Sequence, residues 1–184
     1  MDEIADVARA GKPTIYARFS GKKALFAAVV ARNVANNTRF ENYAPSGATS
    51  EERLASVGVT LLRRILADGN IGLIRSTIAE TRRFPDLASS VHRMARERGA
   101  GAVAQLLGEM ARADKLEALP AFSPDRLPTT TRYFLDLVVL PLLMRALFVK
   151  DLKSLRAEID SHVARAAAFF LAGCRYGGVD TRVP

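Results

Sequence analysis

The chain opens with two short helical segments separated by a tight turn, and this arrangement constrains the fold more than any other stretch. Within residues 2–26, Ile4 and Ala8 lie four positions apart and share one face of a first short helix. Gly11 can take the positive φ that a sharp turn needs. Pro13 suits the first turn of a second helix, because its missing N–H has no helical partner there. The pattern predicts a helix-turn-helix.

The second short helix has one apolar face and several polar residues. Ile15 and Phe19 are four residues apart and form the apolar face, while Lys12, Thr14 and Tyr16 point elsewhere. A helix-turn-helix of this kind places its second helix in the major groove of DNA. The N-terminal end therefore predicts double-stranded DNA as a partner.

These residues resemble the DNA-binding end of the TetR family of bacterial transcription regulators. The matching residues, in the family's order and spacing, are Ile4-Ala5, Gly11-Lys12-Pro13-Thr14, Ile15-Tyr16, Phe19, Lys22 and Ala24-Leu25-Phe26. Two positions depart from the family pattern: the turn reads Ala8-Arg9-Ala10-Gly11, and Lys23 stands where an acidic residue is usual. Farther along, residues 82–87 and the Leu140-Pro141-Leu142-Leu143 run resemble the family's regulatory domain, so the resemblance covers nearly the whole chain.

The resemblance implies a role in DNA binding for four residues. Lys12, Thr14 and Tyr16 would lie on the recognition helix, where Thr14 and Tyr16 would contact phosphate or sugar and Lys12 phosphate or a base edge. Lys22, at the start of the next helix, would contact a phosphate with help from the helix N-terminus. The alternative is that all four are ordinary solvated side chains on a helical hairpin.

The family pattern also includes a further helix that precedes the position of Met1. That helix packs on the other two and completes a three-helix domain, so the DNA-binding domain of this chain is expected to be incomplete. Without it, Ile4, Val7, Ile15 and Phe19 would expose apolar surface. We therefore expect the sequence to begin at an internal Met of a longer protein. The alternative is a genuine N-terminus with a compromised DNA-binding end.

Positive charge is concentrated at the N-terminal end. The chain has 27 basic and 19 acidic residues, a net charge of +8, and residues 1–40 contain seven basic and three acidic ones. A clustered basic region favours a nucleic-acid partner. A generally basic surface is the alternative, because arginines are also frequent in the body: Arg63, Arg64, Arg82, Arg83, Arg93, Arg96 and Arg98.

The rest of the sequence predicts an all-α protein, because no stretch alternates apolar and polar residues with a period of two. Residues 1–42 are assigned to the DNA-binding end and its connector helix, and residues 43–184 to a TetR-like helical ligand-binding and dimerisation domain. Thr49 and Glu52 form a capping-box signature that opens a helix. Helices are expected at about residues 22–42, 50–68, 71–83, 85–115, 129–149 and 153–173.

The last two predicted helices carry more apolar surface than one core stripe needs. In the resembled family this pair forms the four-helix interface of a homodimer; an internal core is a compatible alternative. The residues assigned to the interface are Leu155, Ile159, Val163, Ala167 and Phe170. Pro141 removes a hydrogen bond to the Leu137 carbonyl and should kink the helix, either opening room for a ligand or only adjusting the packing.

A small, mostly apolar effector is expected to bind among the body helices and to change the spacing of the recognition helices. Candidate ligand-binding residues, chosen by helix position, are Leu61, Ile78, Met94, Phe134 and Leu137, with His92 and Tyr133 as polar groups. The expected function is a ligand-responsive regulator, a repressor that binds a palindromic operator as a homodimer. The alternative is a helical small-molecule-binding or interaction protein that has lost DNA binding.

Catalysis and metal binding have little support in the sequence. His92 and His162 are the two histidines, and neither has a partner at metal-ligand spacing. No enzymatic activity, cofactor or metal is therefore expected. The single cysteine, Cys174, excludes an internal disulfide. With no signal peptide and no apolar run long enough to span a bilayer, a soluble, cytoplasmic protein without a membrane partner is expected.

Overall fold

The computed structural model describes residues 2–37, 39–40 and 43–176, and this part of the chain is all-α, as predicted. The side chains of residues 2–4, 87–88 and 91–92 lie outside the description. The N-terminal end contains α1 (Asp2–Ala8), α2 (Lys12–Arg18) and α3 (Lys22–Asn37). The body contains α4 (Ser50–Ile65), α5 (Asp68–Ala79), α6 (Pro85–Ala113), α7 (Leu127–Val138), α8 (Leu140–Phe148) and α9 (Lys153–Arg175). Short 3-10 turns occupy Glu80–Arg82, Leu116–Ala118 and Pro120–Phe122.

The first body helix begins at the predicted capping box. The Thr49 hydroxyl accepts a hydrogen bond from the Glu52 N–H at 3.1 Å, and the Glu52 carboxylate accepts one from the Thr49 N–H at 3.3 Å. The connector helix α3 is shorter than predicted, since it ends at Asn37. The proposed domain boundary after residue 42 adjoins residues outside the description and stays a prediction.

The helix predicted over residues 129–149 is two helices. The first ends at Val138 and the second begins two residues later. Pro141 has no N–H to donate to the Leu137 carbonyl, which accounts for an interruption at this point. His162 is half-buried, and its Nε2 lies 2.9 Å from the carbonyl oxygen of Val138, the last residue of α7. His162 therefore satisfies a carbonyl at a helix end, a structural task.

The core of the body is built around α4 and α9, which pack side by side, while α7 packs on both α6 and α9. Phe134 and Phe170 meet edge to face with ring centroids 5.2 Å apart. Fully buried core side chains on α4, α6, α7 and α9 include Leu54, Val57, Leu62, Val103, Leu107, Phe134, Val138, Leu155, Ile159 and Val163, and Ile71 on α5 and Leu142 on α8 add to them. This core is continuous through the body.

Gly58 marks a very close approach between α4 and its neighbours. A Cβ atom at this position would lie 2.7 Å from Cγ1 of Val163 and 3.1 Å from Cγ1 of Val138. Both neighbours are valines, whose χ1 is stiff in a helix, so neither can turn away easily. The missing side chain at Gly58 allows α4 to pack this closely.

We predict that Gly58→Ala lowers the free energy of unfolding by about 1–3 kcal/mol through overpacking. Gly101→Ala in α6 is the matched control, because nothing lies within 4 Å of a Cβ there. The control should raise the free energy of unfolding by roughly 0.5–1 kcal/mol through helix propensity. Urea denaturation measures both. Equal shifts of the two midpoints would contradict close packing at Gly58.

Candidate nucleic-acid interface

The turn between α1 and α2 is formed at Arg9 rather than at Gly11. Arg9 has a φ of 49°, whereas Gly11 is extended, with a φ of −62°. The Ala10 N–H donates to the Ala5 carbonyl at 3.0 Å and closes the end of α1. Gly11 is the N-cap of α2, and its carbonyl accepts from the Ile15 N–H at 3.2 Å. The positive φ that the sharp turn needs is therefore found two residues before Gly11, at Arg9.

The second helix of the motif turns an apolar side chain inward and its polar side chains outward. Ile15 is buried and Phe19, just after the helix, is half-buried. Lys12, Thr14 and Tyr16 are exposed. The side chains predicted to contact DNA are thus accessible, and Ile15, on the predicted apolar face, is covered.

Exposed cations flank this helix on both sides. Lys22 is the first residue of α3 and is exposed, as are Arg9, Arg18 and Lys23. The four predicted DNA-binding residues therefore lie on two consecutive elements within a basic, solvent-facing region. On the preceding helix Val7 is 87% exposed, so its apolar side chain has little cover within the described residues.

A small apolar group, the connector cluster, joins α3 to the body. Val30 and Val34 are its buried members. Partly buried side chains from α3, α5 and α6, and from the residue that precedes α6, pack against them: Phe26, Ala27, Leu73, Phe84 and Ala95. The connector cluster is separate from the main core of the body, so the N-terminal end is attached through its own contacts.

The far end of α3 is tied to the body by asparagine side chains. Asn37 Nδ2 donates to Oδ1 of Asn33 at 2.7 Å and to Oδ1 of Asn70 at 3.0 Å. Asn70 is buried, and its Nδ2 donates to the Ile65 carbonyl at 2.7 Å. Sequence reasoning missed these residues, because nothing local marks an amide whose partner lies 33 positions away.

The candidate ligand-binding residues do not line one pocket. Leu61 and Phe134 belong to the packed core, with Leu137 half-buried at its edge. Ile78 and Tyr133 face solvent, with 55% and 61% of their surface exposed. Met94 is half-buried, and the side chain of His92 lies outside the description. Helix position alone does not separate core from surface, and a ligand-binding role for these residues stays a prediction.

The structure does contain a polar cavity of about 520 Å³ elsewhere in the body. It lies where the start of α4, the end of α6 and the end of α9 meet, and none of the candidate ligand residues lines it. Arg53 and Asp114 form an ion pair there, in which the Asp114 side chain is only 3% exposed. We read this pair as a tie between α4 and α6.

The five residues assigned to a dimer interface are inside the chain's own core. Leu155, Ile159, Val163, Ala167 and Phe170 are each at most 5% exposed. The contacts that bury α9 come from α4 and α7 of the same chain. Because these side chains already have partners, they cannot also contact a second copy, and this part of the prediction is corrected.

Other side chains on the last helices are apolar and exposed. On α8, Leu140, Met144 and Phe148 recur every four residues and are 48%, 45% and 83% exposed. Phe169 on α9 is 71% exposed. The excess apolar surface noted in the sequence is therefore real, but it lies on a different face from the predicted one.

The remaining reactive groups have structural surroundings. Burial raises the pKa of the Cys174 thiol to about 11, so it stays protonated and unreactive at neutral pH. The Arg145 guanidinium donates to Glu158 at 2.6 and 2.8 Å and lowers the pKa of that carboxyl. Among the described residues, no His, Cys, Asp and Glu side chains are grouped to hold a metal. In the same part of the chain, no helix has the length and apolar content needed to cross a bilayer.

The fold and the exposed second helix define a helix-turn-helix protein with a helical body. The family model for bacterial regulatory proteins of the tetR family matches residues 1–29. The model described as the C-terminal domain of AefR-like transcriptional repressors matches residues 52–177, more than half of the chain. The chain therefore belongs to the TetR family, and as such it is a DNA-binding transcriptional regulator and not an enzyme.

A solved structure has the same fold. It is described as a TetR-family transcriptional regulator from Mesorhizobium loti, and it superposes with a TM-score of 0.79 over 94% of this chain and 84% of that chain. The two sequences are 20% identical, so this likeness concerns the fold alone. No protein of curated function matches the sequence.

Proposed function

We propose that this chain is a ligand-responsive repressor that binds a palindromic operator as a homodimer and is released by a small molecule. The observation that carries the proposal is the outward presentation of Lys12, Thr14 and Tyr16 on α2, with Ile15 buried beneath them. A groove-reading helix needs this division between exposed polar and buried apolar side chains. The repressor role is supported by the description of the family model that matches the body.

The DNA contacts proposed for this surface are of two kinds, contacts to the phosphate–sugar backbone and contacts to a base edge. Lys12 meets phosphate or a base edge, Thr14 and Tyr16 meet phosphate or sugar, and Lys22 meets a phosphate. Phosphate contacts supply affinity without sequence preference, and their number sets the salt dependence. The half-sites of the operator would then be read by the recognition helices of two subunits.

We predict that Lys22→Gln weakens binding to all duplexes and flattens the plot of log affinity against log salt by about 0.9. Lys153→Gln, at the exposed start of α9, is the control and should leave the slope unchanged. Fluorescence anisotropy over a salt series, with a duplex selected by the wild-type protein from a random library, measures both. An unchanged slope for Lys22→Gln would remove that lysine from the phosphate contacts.

For the homodimer, we propose an interface formed by the exposed apolar side chains of α8 and α9. Leu140, Met144 and Phe148 lie on one face of α8, because they recur every four residues. Exposed apolar side chains grouped in this way are typical of protein–protein interfaces. Phe148 and Phe169 are the most exposed of this set, and large aromatic residues are frequent anchors at interface centres.

Two variants should separate this interface from the core. Phe148→Glu should raise the dimer dissociation constant about tenfold or more, because it places a charge where an apolar contact is proposed. Val163→Glu should instead unfold the chain, since it buries an unpaired charge. Ile78→Glu, at an exposed position on α5, is the neutral control. Sedimentation velocity over a concentration series, with circular dichroism for folding, measures all three. A dimer unaffected by Phe148→Glu would contradict the proposed face.

For the effector, we propose a small, mostly apolar molecule that binds among the body helices. Half-buried apolar side chains at the edge of the core, such as Leu137, support this class. An effector shifts the regulator only if it binds the DNA-free state more tightly than the DNA-bound state. In a thermal-shift screen, an effector should both raise the melting temperature and weaken operator binding. If the compounds that raise the melting temperature leave DNA affinity unchanged, release by a ligand is the wrong mechanism.

A further inference from the structure

Phe84 lies where the DNA-binding end meets the body, and two cations contact its ring. It immediately precedes α6 and packs on the connector cluster. Lys23 Nζ lies 5.7 Å from the ring centroid, and Arg83 Cζ lies 5.2 Å from it. A cation within about 6 Å of an aromatic centroid is attracted by the ring quadrupole. The Phe84 ring of the body therefore contacts the ammonium group of Lys23, the second residue of α3.

Lys23 and Lys22 are neighbours in sequence but have different surroundings. Both are exposed, yet the Lys23 ammonium lies over the Phe84 ring. Lys23 also departs from the acidic residue usual at this position in the resembled family. A carboxylate would be repelled by the negative face of the ring, so the contact depends on this departure.

The rest of α3 is held by different contacts. Val30 and Val34 anchor its middle through the connector cluster, and Asn37 holds its far end by donating a hydrogen bond to Asn70. In the first turn, next to the recognition helix, Lys23 contacts Phe84, and Phe26 in the following turn packs on the connector cluster. The Lys23 contact lies close to α2 and is placed to fix the direction in which α2 leaves the body.

We propose that Phe84 is a positioning residue for DNA binding. By contacting Lys23, Phe84 fixes the first turn of α3, and this turn fixes the recognition helix α2. The same contact keeps Lys23 from contacting a DNA phosphate. A recognition helix that is already in place does not have to be ordered when DNA binds, so its affinity is higher. The proposal rests on the proposed DNA binding by α2. Its test therefore includes a measurement on the free protein, in the absence of DNA.

The first arm measures affinity for a DNA duplex that the wild-type protein selects from a random library. The duplex is about 30 base pairs long and contains one palindromic site made of two half-sites. Phe84→Leu and Lys23→Gln should each weaken binding about two- to fivefold, the value of an exposed cation–π contact. The double variant should be no weaker than either single variant. Phe84→Tyr keeps the ring and should bind like wild type. Additive losses, or a Phe84→Tyr variant as weak as Phe84→Leu, would overturn the proposal.

The salt slope separates positioning from direct contact. Lys23→Gln should retain the wild-type slope, because Lys23 neutralises no phosphate, whereas Lys22→Gln should flatten it by about 0.9. Flattening by Lys23→Gln would make Lys23 a phosphate contact and overturn the proposal.

The second arm uses amide hydrogen exchange of the free protein. Phe84→Leu and Lys23→Gln should speed exchange in residues 12–25 relative to Phe84→Tyr, with little change in α9. Equal exchange in all three variants would overturn the positioning role, whether or not a duplex is found. If the wild-type protein selects no duplex while exchange changes as expected, the operator proposal and the DNA-binding role of Phe84 fail, and only the claim that Phe84 fixes the first turn of α3 is supported.

Discussion

The packing of α4 against α9 is the contact on which the rest of the structure depends. Gly58 lets the two helices approach so closely that a single methyl group would collide with Val163. The apolar stripe of α9 is buried against α4 and α7. This burial includes the side chains that the sequence analysis assigned to the interface with a second copy of the chain. The exposed apolar side chains of α8 and α9, including Phe148 and Phe169, form the surface that is available for a second copy.

The DNA-binding end is attached by a different kind of contact. Its connector helix does not enter the main core; it is held by the connector cluster, by the Asn37–Asn70 hydrogen bond and by Lys23 on Phe84. Local stability follows the number of buried contacts, so this end should open more readily than α4 and α9. Such a difference in local stability suits a regulator. The body stays folded, and a change in it can shift the position of the smaller and more weakly held DNA-binding end.

Much of the fold was predictable because its signals are local. The capping box at Thr49 and Glu52 and the start of α6 at Pro85 each depend on residues within one or two turns. A kink was predicted at Pro141 for the same reason, and the structure has a break between two helices there. Gly11 did not mark the reversal itself, because glycine permits a positive φ without requiring it, and the reversal occurs at Arg9.

The less predictable features depend on contacts between distant parts of the chain. Periodicity shows that a face of α9 is buried, but not whether the same chain or a second copy covers it. Leu61 and Ile78 have similar chemistry, yet one lies in the core and the other faces solvent. Phe84 gave no signal for its role, because Lys23 lies about 60 positions away in the sequence. The DNA-facing residues were predictable only because their family pattern is local and specific.

The claim that α2 and the start of α3 form the DNA-binding surface is tested most directly by hydrogen exchange with and without a selected duplex. The account predicts slower exchange over residues 12–23 when DNA is bound, and little change around the cavity at the start of α4. Protection in the body without protection over residues 12–23 would contradict it.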